Sequence, residues 1–90
     1  MLGEPDPKKR IHAYYILGED PAQSDPNLEE IRETLKQIDL VIVQDIFMNR
    51  TSEYADVLFP ATAWGEHDAI YTCCDRGFQR VRKVIERLKG

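Results

Sequence analysis

The chain has 90 residues, enough for one domain at most, and its 42% apolar and 31% charged residues are ordinary for a globular protein. A formal net charge of −4 argues against a nucleic-acid surface, because binding to phosphates requires a net basic face. No apolar run approaches the roughly 20 residues that cross a bilayer, and the polar N-terminus is unlike a signal peptide, so we expect a cytoplasmic protein, or an excised piece of one, without nucleic-acid or membrane partners.

Residues 1–10 are predicted to be a flexible linker or the edge of a fragment, because their prolines and basic run leave little to bury. The apolar segment 11–17 (IHAYYIL) then predicts a buried strand, which Gly18 ends. The polar segment 18–21 (GEDP) is typical of a turn at the carboxyl end of that strand.

An amphipathic helix is predicted next. Asp25 suits its N-cap, Pro26 suits the first helical position, and the helix should end near Gln37. Its apolar residues fall at helical spacing and form one stripe that would pack on the sheet. These residues are Leu28, Ile31, Leu35 and Ile38.

Two short apolar runs follow, residues 40–43 (LVIV) and 57–59 (VLF), and both predict strands. The first is wholly apolar, which is typical of a central parallel strand covered on both faces. Between them, residues 51–55 predict one helical turn capped by Thr51 or Asn49. The order strand, helix, strand, short helix, strand indicates a doubly wound parallel sheet.

The C-terminal third has a different pattern. Segments 70–73 and 78–85 predict two more strands, and the turn signal at 75–77 (DRG) favours a hairpin, although the tail has a helical alternative. The predicted fold class is therefore a small Rossmann-like α/β open sheet, mostly parallel, with a C-terminal hairpin or extended segment. Residues 11–90 would form this single α/β domain.

Metal-ligating patterns are weak. Cys73 and Cys74 are adjacent, so in a strand their side chains point to opposite faces and do not easily bind one metal. The adjacent residues 66–68 (EHD) do not converge on a metal either, and His12 is expected to be a packed or edge residue of the first strand. No metal ligand is assigned. Trp64 is expected to be an interface residue rather than a core anchor.

Polar residues follow the first two predicted strands at their carboxyl ends, where open parallel sheets bind ligands. Gly18, Glu19 and Asp20 form the first corner, and Gln44 and Asp45 form the second. A carboxylate offers two coplanar acceptors that match ribose hydroxyls or the N–H donors of guanine, and glycine allows a close backbone approach. The simpler alternative, left open, is that both aspartates cap turns.

Phosphate-binding signals are fewer. Ser24 lies just before the predicted helix cap, where a hydroxyl and free backbone N–H groups can meet a phosphate. Neither the GxGxxG motif nor the GxxxxGK motif is present, which argues against a self-contained NAD or ATP domain.

Three stretches in order, YILGEDP, LVIVQDIFMNRTSEYADVLFPATAWGEHD and YTCCDRGFQRV, resemble the molybdopterin oxidoreductase family, and especially the catalytic subunits of its formate dehydrogenases. The resemblance covers most of the chain, and VQDIFM followed by ADVxxP is its most specific part. The family's downstream Glu, Arg and Gln are matched by Glu66, Arg76 and Gln79. Its Gly-Thr pair is replaced by Ala69 and Ile70.

This resemblance implies a bis(molybdopterin guanine dinucleotide) cofactor with molybdenum or tungsten in the whole enzyme, whose guanosine part is held by the strand-end loops. It also implies a 4Fe–4S cluster bound elsewhere, and partners among the remaining domains and the electron-transfer subunits. No catalytic residue is assigned here, so this fragment alone is expected to be inactive. By motif position, the cofactor-binding residues would be Gly18, Glu19, Asp20, Ser24, Gln44, Asp45 and Thr51.

Two other interpretations stay open. One is a stand-alone, non-catalytic interaction module derived from the family, and the other is a fragment of a sister enzyme such as a nitrate reductase. Fragment status further predicts exposed apolar surface and a tendency to aggregate, with Trp64, Phe47 and Met48 as the candidate residues.

Overall fold

The structure is a computed structural model that describes residue 4 and residues 6–87. The chain divides into two compact units, Met1–Pro60 and Ala61–Gly90, which are described separately. Residues 1–3 and 5 of the predicted linker, and residues 88–90 of the C-terminal tail, lie outside the described residues.

The first unit contains a three-stranded parallel sheet whose strands lie side by side in chain order. The predicted mostly parallel α/β open sheet is confirmed, and its second strand continues two residues beyond the predicted run. In chain order the elements are β1 (Ala13–Leu17), α1 (Pro21–Ser24), α2 (Leu28–Gln37), β2 (Leu40–Asp45), a 3-10 helix (Thr51–Tyr54) and β3 (Val57–Pro60).

The predicted start of α2 was wrong. The helix begins at Leu28, after Asn27 in a left-handed conformation with φ of 58°. Asp25 instead follows the short helix α1, which Pro21 begins and which the sequence did not predict. Asp25 is extended, with ψ of 151°, because the ring of the following Pro26 disfavours helical geometry in the residue before it.

The core lies on one face of the sheet. Leu35 of α2 is only 2% exposed and packs in one cluster with residues of β1 and β2. Tyr54 and Ala55, from the connection between β2 and β3, pack against the same cluster. Both connections therefore cover the same face, as right-handed crossovers between successive parallel strands require. The predicted doubly wound arrangement, which places connections on both faces, was therefore wrong for this unit. The buried cluster consists of Ile16, Ala22, Leu35, Ile38, Val41 and Val43.

The opposite face of the sheet is apolar and exposed, so the prediction of a strand covered on both faces was wrong for this chain. Leu17 is 63% exposed and Phe59 is 50% exposed. They share this face through the register, which pairs Leu17 with Gln44 and Gln44 with Phe59. No charged side chain lies on it. The residues of this uncovered face are Ala13, Tyr15, Leu17, Leu40, Ile42, Gln44, Val57 and Phe59.

An ion-pair cluster joins the start of β1 to the turn before β2. His12 precedes β1 and is exposed, and its Nδ1 lies 2.6 Å from Asp39 Oδ2. Arg10 Nη2 donates to the other carboxylate oxygen of Asp39 at 2.8 Å. These contacts, above all the hydrogen bond with His12, lower the pKa of Asp39 from its ordinary value.

The lowered pKa of Asp39 predicts a specific acid dependence. Because this carboxylate is favoured in the folded chain, its contribution to stability is present above the unfolded aspartate pKa of about 3.9 and is lost as the pH falls through the folded value. Substitution of His12→Gln should move the Asp39 midpoint upward in a carboxyl 13C NMR titration. Arg10→Gln should move it less, and an unchanged midpoint in the His12 variant would contradict this assignment.

The second unit contains the predicted hairpin. Strands β4 (Ala69–Thr72) and β5 (Phe78–Val81) are antiparallel, and β5 is shorter than predicted. Arg76 adopts a left-handed φ of 66° in the turn between them. Residues 82–87 are not helical, and none of the helices in the described part of the chain is long and apolar enough to span a membrane.

The turn of this hairpin engages one of the two cysteines. The Cys73 thiol donates to Asp75 Oδ1 at 2.7 Å, which raises the pKa of Cys73 and lowers the pKa of Asp75. A raised pKa keeps the thiol protonated, and a protonated thiol is a poor nucleophile and metal ligand.

Candidate functional site

The predicted corners lie together at one edge of the first sheet. Because the three strands are parallel, β1, β2 and β3 all end at this edge. The backbone N–H of Gly18 donates to the carbonyl of Gln44 at 2.9 Å, so the chain leaves β1 directly beside the end of β2. The corners therefore form one continuous surface at the carboxyl ends of the strands, the usual ligand edge of such sheets.

The first corner is open to solvent. Gly18 has a left-handed φ of 64°, and a Cβ built there would meet nothing within 4 Å. Glu19 is exposed, and its carboxylate makes no hydrogen bond or ion pair with another described residue. Glu19 is thus the acidic side chain of this edge whose acceptors are all available.

Asp20 connects the first corner to the 3-10 helix. Its Oδ1 accepts hydrogen bonds from the backbone N–H of Thr51 at 2.9 Å and from the Thr51 hydroxyl at 2.6 Å. The other oxygen, Oδ2, accepts from the Arg50 N–H at 3.4 Å. Thr51 is fully buried, and its Oγ1 also accepts from the N–H of Ala22 at 3.1 Å. The Thr51 hydroxyl is therefore engaged inside the chain both as a donor and as an acceptor.

Asp45 holds the turn that follows β2. Its Oδ1 accepts from the N–H of Ile46 at 2.6 Å and of Phe47 at 3.3 Å, and its Oδ2 accepts from Asn49 Nδ2 at 2.9 Å. Asp45 caps its turn, which is the alternative that the sequence left open for both aspartates, whereas the Asp20 side chain bonds to the start of the distant 3-10 helix. A carboxylate has about four acceptor positions, and each aspartate uses three, so each keeps one for a ligand.

Gln44 and Ser24 are each partly engaged. The Tyr15 hydroxyl donates to Gln44 Oε1, which leaves the amide nitrogen of Gln44 as a donor. Ser24 is the last residue of α1, and its hydroxyl donates to the carbonyl of Asp20 at 2.9 Å. This hydroxyl can still accept a hydrogen bond, but it does not stand at the start of α2 as predicted.

An open cavity lies beside these corners, and most of its lining residues were not predicted from the sequence. Its volume is about 570 Å³. Asn49 is the most connected of the missed residues, since it bonds to Asp45, to the Glu19 carbonyl at 3.5 Å and to the N–H of Ser52 at 2.9 Å. The predicted role of Asn49 as a helix cap is the signal that points to it. The cavity is lined by Asp20, Gln23, Met48, Asn49, Arg50 and Glu53.

The three polar side chains at 66–68 each bond to a different partner in the second unit. Glu66 accepts from the N–H of Ala63 at 2.7 Å, and Asp68 accepts from the N–H of Lys83 at 2.8 Å. The Nδ1 of His67 lies 2.8 Å from the Thr62 hydroxyl. Within residue 4 and residues 6–87, no group of three or more His, Cys, Asp or Glu side chains is placed to hold a metal ion.

The three apolar residues expected at the surface are all exposed. Met48, at 77%, lines the cavity, Phe47 lies in the same turn after β2, and Trp64 belongs to the second unit. The predicted exposure of these side chains is confirmed.

Comparison with known proteins identifies related sequences. The model of the family described as molybdopterin oxidoreductase matches residues 4–88. The chain is 51% identical to formate dehydrogenase H of Escherichia coli over 76 residues, which are 84% of the chain and 11% of that protein. It is 42% identical over 77 residues to the F420-dependent formate dehydrogenase subunit alpha of Methanocaldococcus jannaschii, covering 86% of the chain and 11% of that protein.

A third relative is the putative formate dehydrogenase YrhE of Bacillus subtilis, which is 39% identical over 79 residues, or 88% of the chain and 8% of that protein. The chain thus spans about a tenth of the length of the curated relatives that it matches.

Proposed function

We propose the following function for this chain, which belongs to the molybdopterin oxidoreductase family. The chain is a piece of the catalytic subunit of a formate dehydrogenase, and the strand edge of its first unit helps to hold the guanosine part of a molybdopterin guanine dinucleotide. Residues 11–90 would be an α/β domain of that subunit, with partners among its other domains and the electron-transfer subunits. The relatives named above support the formate dehydrogenase assignment.

The observation that carries the proposal is the open edge itself. Gly18 offers a close backbone approach, Glu19 offers an unengaged carboxylate, and Gln44 offers an amide donor. Asp20 and Asp45 each keep an acceptor, and a cavity of about 570 Å³ adjoins them. These donors and acceptors suit the ribose hydroxyls and the guanine edge of a nucleoside. Ser24 and Thr51 contribute by holding the corner, Thr51 from a fully buried position.

In the whole enzyme, the cofactor and this chain would then have different roles. When bound, the cofactor would supply a molybdenum or tungsten centre for the two-electron oxidation of formate to CO₂, and a 4Fe–4S cluster would be bound elsewhere in the whole enzyme. This chain contributes fixed dipoles and carboxylates that orient one end of the cofactor. The isolated chain has no activity.

Titration with GMP tests the site. We expect backbone amide shifts in 1H–15N spectra to concentrate in residues 18–24 and 44–51. Glu19→Gln should weaken binding about threefold to tenfold, because glutamine replaces a charged hydrogen bond of roughly 1.5–3 kcal/mol with a neutral one of roughly 0.5–1.5 kcal/mol. Glu29→Gln, an equal charge change on the exposed side of α2, is the matched control. Shifts confined to other residues would sink the assignment.

A further inference from the structure

A second open cavity, of about 250 Å³, lies outside the residues assigned to the nucleoside. Arg32 of α2 forms one side of it. Arg50, Glu53 and Tyr54, in and just before the 3-10 helix, form the other side. Two guanidinium groups thus face one cavity with a single carboxylate.

The charges in this cavity do not balance. Arg50 Nη1 donates to Glu53 Oε1 at 2.8 Å, so these two side chains neutralise each other. Arg32 has no carboxylate partner among the described residues, and Glu33, its sequence neighbour, is paired with Lys36 at 2.6 Å. An arginine does not lose its proton in a protein. The cavity therefore keeps one uncompensated positive charge in a chain whose net charge is −4.

The guanidinium of Arg32 is also held in place. It is half-buried, and its Nε donates to the carbonyl of Ala22 at 3.0 Å, which leaves both terminal NH₂ groups for a ligand. A fixed planar fork of donors matches the oxygens of a phosphate, and a group that is already ordered loses little entropy on binding. Tyr54 completes the lining of the cavity.

We propose that this cavity binds an oxyanion of the phosphate class, with Arg32 as the main ligand and Arg50 as the second. The proposal rests on the charge and geometry of the cavity and does not depend on the nucleoside site. Two sources fit this chemistry, inorganic phosphate and the phosphate group of a nucleotide, because Arg50 and Glu53 line both cavities.

Inorganic phosphate is the first probe, added to the 90-residue chain against sodium chloride of equal ionic strength. The Nε–H signals of Arg32 and Arg50 should shift saturably with phosphate and not with chloride. Arg32→Gln should weaken the response at Arg50 at least about fivefold, since it removes a charged bidentate donor. Arg82→Gln, an equal charge change in the second unit, should leave the affinity within about twofold. Equal responses in the two variants would overturn the site.

Arg32→Lys is a second variant that keeps the test valid if Arg32→Gln fails to fold. Intact amide signals from the strands show that a variant is folded. Lysine keeps the charge and loses the fork, so its phosphate affinity should lie between those of the parent chain and Arg32→Gln. An affinity equal to that of the parent would overturn the role given to the guanidinium.

Guanosine and GMP separate the two sources of phosphate and separate this site from the nucleoside site. If GMP shifts both the strand corners and Arg32, the nucleotide phosphate is the ligand. If phosphate shifts Arg32 while guanosine and GMP leave the corners unchanged, the oxyanion site stands and the proposed function fails. If GMP shifts the corners while Arg32 responds to neither probe, the oxyanion site is wrong and the nucleoside site stands.

Discussion

Leu35→Ala is expected to lower the free energy of unfolding of the first unit by about 2–5 kcal/mol, the range for removing a buried leucine side chain. Leu35 is 2% exposed and lies in the cluster that joins α2 to β1 and β2. A loss of this size is a large part of the stability of a small domain, so the sheet should unfold at a much lower urea concentration. Far-UV circular dichroism across a urea titration measures it.

Leu17→Ala is the matched control, because it removes the same atoms from the uncovered face of the same sheet. Leu17 is exposed, so its truncation should change the unfolding free energy by less than about 1 kcal/mol. If both variants lost the same stability, the core could not lie on the α2 side alone.

Thr51→Val is expected to cost about 1–3 kcal/mol, although valine has nearly the shape of threonine. The substitution leaves the N–H of Ala22 buried without its acceptor and removes one of the hydrogen bonds to Asp20. Buried donors without partners carry the full cost of losing water. Urea unfolding of this variant gives the number directly.

Thr51→Ser keeps the hydroxyl and should recover most of the lost stability, whereas Ser24→Ala, which removes an exposed hydroxyl, should change it by no more than about 0.5 kcal/mol. A Thr51→Val chain as stable as the parent would show that the Asp20–Thr51 connection does not hold the corner.

The local elements of this fold could be read from the sequence because each has a local cause. The apolar run beginning at Leu40 gave β2, and helical spacing gave α2 down to Gln37. The start of α2 could not be read correctly, because Pro21 and Pro26 both suit the first position of a helix. Only the left-handed conformation of Asn27 places the boundary at Leu28.

The candidate site was predictable in outline for a similar reason. Strand ends and their polar residues follow from the chain order, so the corners at Gly18 and Gln44 could be expected at one edge. The bond between Asp20 and Thr51 could not, because it joins residues 31 positions apart. The bond from Arg32 to the Ala22 carbonyl could not be predicted either, because helical periodicity does not reveal contacts with other elements.

Because both sides of the sheet are apolar, the pattern of side chains distinguishes poorly between alternative alignments of β1 and β2. A slip by one residue would replace Tyr14 and Ile16 on the core side with Tyr15 and Leu17. Each pair is one tyrosine and one aliphatic residue, so the two alignments bury similar surface. In a sheet with one polar face, the same slip would bury polar side chains and would therefore be strongly unfavourable.

The correct alignment must therefore be chosen at the strand ends. His12 meets Asp39 at one end, and at the other end the left-handed Gly18 bonds to the carbonyl of Gln44 while Tyr15 reaches the Gln44 side chain. A slip would separate all three contacts together. The correct alignment of β1 with β2 thus depends on a few polar contacts rather than on the hydrophobic surface of the sheet.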